Sequence, residues 1–333
     1  MKKIMKTIEE TKRKILVVLL LVGLTSFFHN SLHAQPNYPN RPVKLVVPFP
    51  SGGMADNLSR VFAKELSEML GQPFVLDFKP GAASNIGAGY VAQSPADGYT
   101  LLMTTIATNG LNKWADRPLN FDPYGFAEVG ILAVNTLYLM VPAQSPYKTI
   151  ADLVKAAKES NTGLSYGSYG NGGPNHLIAE VFRQSAGINQ LVHVPYKGTN
   201  EALIDLIGGR IDFIIDGSTI NLVASGKLRA LASFSPTRWP SQPSIPTMVE
   251  LGYPNLTMTT YFGLAAPANT PSPILEKLNN ALKVIATAKE TENFLLPLNA
   301  VPMKASRAEA TQFMRLQSDK WGPVLKSLKI PTQ

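Results

Sequence analysis

The sequence predicts an α/β protein built as two domains, and three observations carry that expectation. Apolar, β-branched runs alternate with helical patterns along most of the chain, which argues for largely parallel sheets with helices between the strands. About 300 residues follow an N-terminal leader, more than one core usually serves. The late passage SPTRWPSQPSIPT holds four prolines and little periodicity, as a return between domains would. Three sections of chain shared between two domains require at least two crossings, the layout of a hinged protein with a cleft. The expected limits are 1–34 for the leader, 35–133 plus 251–333 for a discontinuous first domain, and 134–250 for the second.

The leader is read from Lys2, Lys3, Lys6, Lys12, Arg13 and Lys14, which precede the apolar stretch ILVVLLLVGLTSFF and end near the small residue Ala34. Ser26, His29 and Asn30 interrupt it before the roughly 20 apolar residues that a membrane-spanning helix needs. Export is expected, with cleavage after Ala34 and a periplasmic mature chain. Losing six basic and two acidic residues lowers the formal charge from +8 to +4. The remaining basic residues are scattered singly, unlike a nucleic-acid surface. Cysteine is absent, which excludes disulfides, thiolate metal sites, a cysteine nucleophile and a lipid-modified cysteine anchor.

Each element follows in order. KLVVPF reads as the first strand. Leu58, Val61, Phe62, Leu66, Met69 and Leu70 then recur at helical spacing up to Gly71. FVLDF is a second strand, PGAASNIGAGYVAQS a glycine-rich turn entering a helix, and TLLMTT a third strand. The middle portion starts near AEVGILAVNTLYLMV. In KTIADLVKAAKES, Thr149 and Asp152 make a capping-box start. The strand LSYG, the loop SYGNGGPNH and the helix LIAEVFRQSAG come next, then LVHVPY, TNEALIDLIGG and IDFIID. The last portion holds the helix PILEKLNNALKVIATA and a final helix capped by Ser306 and Glu309.

Two glycine turns stand between a strand and a helix, PFPSGGMAD and SYGNGGPNH. Free N–H groups of a first helical turn, together with the helix dipole, favour an anion there. The first turn lacks the Gly-Lys-Ser/Thr of a phosphate loop, since Met54 and Ala55 stand in its place, and it lacks the spaced glycines of a dinucleotide fingerprint. Amides without a fixed cation suit a carboxylate. The segment Gly163-Leu164-Ser165-Tyr166-Gly167 matches a G-x-S-x-G nucleophile pattern, but the chain holds only His176 and His193 beyond Ser165, too close for the usual order of acid and base. Two histidines in the mature chain and no close carboxylate–histidine cluster argue against a metal site, and no cofactor is expected.

The chain resembles the periplasmic solute-binding proteins of tripartite tricarboxylate transporters, the Bug family. The likeness runs from YPNRPVKLVVPFPSGGMAD through GQPFVLDFKPGAASNIGA, PADGYTLL, LSYGSYGNGGPNHL, VHVPYKGTNEALIDLIGGRIDF and GKLRALA to WGPVLKSLKI. It implies a two-domain periplasmic-binding-protein (Venus flytrap) fold whose cleft captures a small organic carboxylate for a membrane permease. It further implies ligand contacts at Pro50, Ser51, Gly52, Gly53 and Asp56 in the first domain and at Ser168, Gly170, Gly172 and His176 in the second. Asp216, where the family often reads Asp-Asn, is a further expected contact. Three positions depart from the family pattern. Gly173 replaces a hydroxyl residue, Tyr169 a smaller one and Gly217 an asparagine. The expected partners are a di-, tri- or aromatic carboxylate and the permease, with the protein a monomer; an amino acid or a neutral amide stays open as ligand. Two alternatives are an exported small-ester hydrolase using Ser165 or Ser168, and a ligand-binding component signalling to a membrane kinase.

Overall fold

The computed structural model describes residues 37–114, 119–122 and 125–328. The expected leader and its cleavage point lie outside them. From Val43 the chain forms β1 (Val43–Val47), α1 (Met54–Leu70), β2 (Phe74–Phe78), α2 (Asn85–Ala92), β3 (Thr100–Thr105), a π-helical turn (Ile106–Leu111) and β4 (Phe126–Thr136). It continues through β5 (Tyr138–Pro142), α3 (Ile150–Glu159), β6 (Leu164–Ser168), α4 (Pro174–Ser185), β7 (Leu191–Pro195), α5 (Thr199–Ile207), β8 (Phe213–Asp216), α6 (Asn221–Ala224) and β9 (Leu228–Ser233). Then come β10 (Thr259–Pro267), α7 (Ser272–Ile285), α8 (Lys289–Leu295), β11 (Ala300–Pro302) and α9 (Arg307–Ser327).

Local chemistry explains the boundaries. α1 buries Leu58, Phe62 and Leu66 along one stripe, each such side chain contributing about 1.5–3 kcal/mol. It stops at Gly71, whose φ of 72° is the left-handed conformation that ends helices. α3 and α9 begin with the two expected capping boxes: Thr149 accepts from the Asp152 N–H and Ser306 from that of Glu309, while each acidic side chain returns to the backbone of its cap.

The strands form two sheets, one ordered β11-β4-β10-β3-β1-β2 and the other β7-β6-β8-β5-β9. They are more mixed than the alternating pattern suggests. β1 pairs in parallel with β2 and β3, and β6 with β7 and β8. β4, β10 and β11 pair antiparallel, as do β5 with β8 and β9. The chain crosses between the sheets twice. The run AEVGILAVNTLYLMV divides at Leu137, with β4 in the first sheet and β5 in the second. The chain returns between β9 and β10, and the two passages lie side by side: Phe234 N–H donates to the Leu137 carbonyl at 2.9 Å and Met258 N–H to the Phe234 carbonyl at 2.7 Å.

A continuous apolar cluster joins residues of both sheets and their helices, among them Ile131, Leu139, Phe182, Phe213, Tyr261 and Trp321. The C-terminal ends of β1, β2 and β3 therefore share one edge of the first sheet, and those of β6, β7 and β8 share one edge of the second. In open α/β sheets such edges carry the ligand sites. No described helix is long and apolar enough to cross a membrane.

Candidate functional site

The first glycine turn leaves β1 and enters α1. Pro50, Ser51 and Gly52 are exposed and Gly53 half-buried. Gly52 has φ 89°, a left-handed conformation that glycine adopts freely. Gly53 caps α1 with extended backbone, and a Cβ added at either glycine would meet nothing within 4 Å. Asp56 turns back on the loop. It is almost fully buried, accepts the Gly52 N–H at 2.8 Å and pairs with the Arg60 Nε at 2.7 Å. The Asp56 carboxylate is thus occupied in shaping the turn. The N–H groups of the first turn of α1 have no partner within the helix.

The second glycine turn joins β6 to α4. Gly170 and Gly172 have φ of 102° and 74°, and Gly173 caps α4 ahead of Pro174 at its first position. Proline fits there because its missing N–H would have been unpaired. Ser168 is fully buried, and its hydroxyl donates to the Gly170 carbonyl at 3.0 Å. His176 is buried on α4 and accepts the Gly172 N–H on Nδ1 at 3.3 Å. The missing hydroxyl at Gly173 reflects no lack of room, since a Cβ there would come no closer than 3.7 Å to the Gly170 carbonyl.

Residues well separated in sequence complete this turn. His193 on β7 places Nε2 2.6 Å from Ser168 Oγ and stacks its ring on that of His176, centroids 3.7 Å apart. Burial, reinforced by His193, pushes the pKa of His176 down to about 3; burial also lowers that of His193, against a smaller upward pull from Glu180. Both rings are neutral near pH 7. His193 was not among the expected site residues. Its one sequence signal is that it and His176 are the two histidines beyond the leader.

Asp216 ends β8, nearly buried, and accepts from Ser218 Oγ at 2.8 Å. The Tyr169 hydroxyl is sealed from solvent beside it without a well-formed hydrogen bond; burial first, and the Asp216 charge second, raise its pKa far above the usual phenol range. Gly217 leaves no room for a side chain. A Cβ there would stand 2.3 Å from the Thr136 carbonyl oxygen and 2.8 Å from the Asn135 amide nitrogen.

The turn between β2 and α2 opens at the same sheet edge as the first glycine turn. Gly81, Ala82 and Ser84 all have positive φ, and Asn112 Nδ2 donates to Asn85 Oδ1 at 2.7 Å beneath it. Non-glycine residues rarely adopt such φ values, and nothing in the string PGAAS announces them.

Ser165 is held elsewhere. Its hydroxyl donates to Asp212 Oδ2 at 2.8 Å, and that oxygen also takes the Ser165 N–H. The Ser168–His193 pair resembles two members of a hydrolytic triad, but Ser168 is inaccessible, and the nearby Glu180 carboxylate is engaged by Tyr166 at 3.1 Å and Arg183 at 2.8 Å. Among the described residues, no group of three His, Cys, Asp or Glu could hold a metal ion. A hollow of about 600 Å³ lined by Glu276, Arg307, Ala308, Thr311, Gln312 and Arg315 contains none of the loop residues.

Known proteins share this architecture. A solved structure described as R. palustris Rpa4515 with adipate is 34% identical with a TM-score of 0.83, covering 88% of this chain and 99% of that one. MatC (Rpa3494) from Rhodopseudomonas palustris with bound malate is 26% identical with a TM-score of 0.80, covering 86% of this chain and all of that one. Protein BugT of Bordetella pertussis is 31% identical over 296 residues, 87% of this chain and 90% of its own. Residues 58–330 match the family described as "Tripartite tricarboxylate transporter family receptor". Two α/β sheets crossed twice, glycine turns at their strand ends and this match agree: the chain belongs to the tripartite tricarboxylate transporter family receptors, with a periplasmic-binding-protein fold and a solute-binding role.

Proposed function

We propose that the protein binds a small dicarboxylate between its two glycine turns and delivers it in the periplasm to the membrane permease of a tripartite tricarboxylate transporter. The observation that carries this reading is the paired placement of the turns: each leaves a parallel strand, enters a helix N-terminus and belongs to a different sheet. Each turn then replaces part of the anion's hydration shell, and bridging both favours a closed form. Adipate and malate, bound by two structural relatives, are the first ligands to try.

In this reading Ser51, Gly52 and Gly53 supply contacts from the lobe built on the six-stranded sheet. Gly170 and Gly172 supply them from the lobe built on the five-stranded sheet. Asp56, Ser168 and His176 shape the turns, Pro50 stiffens the first, and Asp216 accepts from a ligand hydroxyl. The protein acts as a monomer without cofactor or nucleic acid, and binding without turnover is its whole role.

Thermal unfolding of the refolded mature protein against adipate, malate, citrate, an aromatic acid and nicotinamide tests this. Binding at a hundredfold excess over Kd stabilises by about 2.7 kcal/mol. A shift with dicarboxylates and no consumption of the acid supports the reading. No shift with any carboxylate refutes it.

A further inference from the structure

Ser168 has one hydroxyl proton and two neighbours. The Gly170 carbonyl, 3.0 Å away, can only accept; His193 Nε2, 2.6 Å away, can accept or donate according to its tautomer. Both contacts are satisfied together when Ser168 donates to Gly170 and His193 Nε2–H donates to Ser168. His176 is fixed from the other side of the turn. Its Nδ1 accepts from the Gly172 N–H, so its proton sits on Nε2. The two neutral rings stack at an interplanar angle of 27°, with Tyr166 of β6 5.1 Å from the His193 ring. Glu180 and Arg183 of α4 are the charged groups facing this cluster, and they are paired with each other.

The segment needs such a clasp. Gly170, Gly172 and Gly173 lack side chains to restrict them, so the backbone between β6 and α4 is free to sample many shapes. A binding site held to a small tolerance requires supporting residues that lock the groups touching the ligand.

We infer that His193 is a positioning residue of the binding site: through Ser168 and the stack on His176 it holds the Gly170–Gly173 turn in one backbone shape. The consequence for affinity rests on the ligand site proposed above, whereas the clasp itself does not.

The test compares wild type with His193→Leu, which removes the donor, and His193→Gln, whose side-chain amide can replace Nε2–H. Hydrogen exchange at the Gly172 N–H and affinity for adipate and malate are the two readouts. The leucine variant is expected to exchange the Gly172 N–H about tenfold faster and to bind about tenfold more weakly, the size of one lost hydrogen bond. The glutamine variant is expected to recover most of both, and ¹⁵N spectra of wild type should show His193 protonated on Nε2.

A folded leucine variant with unchanged Gly172 exchange overturns the inference, as does faster exchange with unchanged affinity. So does a wild-type His193 protonated on Nδ1, which keeps the test decisive if the leucine variant fails to fold. Wild type that binds no acid at all refutes the ligand reading instead, and Gly172 exchange still judges the clasp.

Discussion

The side-chain amide of Asn299 donates to the Gly217 carbonyl at 3.3 Å, tying the turn before β11 to the end of β8. The same nitrogen donates to the Thr136 carbonyl at 3.1 Å, and Asn299 Oδ1 accepts the Tyr138 hydroxyl at 2.8 Å. Asn299 is fully buried with φ 56°, a left-handed conformation that asparagine tolerates better than most residues. One amide therefore gathers the last residue of β4, the first of β5 and the residue after β8, where the chain crosses between sheets. Asn299→Ala should lower unfolding free energy by about 2–4 kcal/mol by leaving buried groups unpaired. Tyr138→Phe should cost about 1 kcal/mol. Denaturant unfolding measures both, and an alanine variant as stable as wild type would show that the crossing is held by other contacts.

Gly217 stands against the same crossing. In Gly217→Ala the new methyl meets the Thr136 carbonyl and the Asn135 amide, so β4 or β8 must shift. A loss of at least about 2 kcal/mol is expected, within the range for overpacking. A variant within about 0.5 kcal/mol of wild type would mean that the crossing yields easily.

Gly53 tests the first turn without disturbing the fold. Its φ of −90° suits any residue and its Cβ direction is open, so Gly53→Val should stay folded and lose no more than about 1 kcal/mol for the poorer cap. The valine side chain occupies the space in front of the first helical N–H groups, and dicarboxylate affinity should fall by at least about a hundredfold, equivalent to about 2.7 kcal/mol. Calorimetry on the folded variant decides; unchanged affinity would remove this turn from the binding site.

Glu128 on β4 is sensitive to pH. Burial raises its pKa to about 7, against the smaller opposing effects of the Asn109 hydrogen bond and Arg307, while Oε2 is sealed from solvent without a partner. The folded protein therefore keeps a proton between pH 4.5 and about 7 that the unfolded chain releases. This contribution to stability is complete below pH 4.5 and lost as pH rises through 7. Glu128→Gln, neutral throughout, should be more stable than wild type by about 1–2 kcal/mol at pH 8.5, with the difference shrinking toward pH 5. A ¹³C titration of the Glu128 carboxyl with a midpoint near 4.5 would refute the shift.

What the sequence determined by itself are features whose partners lie within a few residues. Thr149 and Asp152, or Ser306 and Glu309, close their capping boxes inside one helical turn, so spacing alone reveals them. The glycine turns at 50–53 and 170–173 are legible for the same reason, because a strand pattern, glycines and a helix pattern follow one another directly. Alternation of strands and helices also announced the α/β class.

Tertiary structure alone decided what depends on distant partners. The antiparallel pairing of β4 and β10 is encoded by no local pattern. Ser168 meets His193 across 25 positions, and Asn299 reaches Thr136 across 163. Ala82 and Ser84 adopt positive φ, a conformation that neither residue type favours and that no signal in the string PGAAS marks. Hydrogen bonds and steric exclusion act over a few ångströms in space. The order of residues along the chain reports only the part of that space that is also near in sequence.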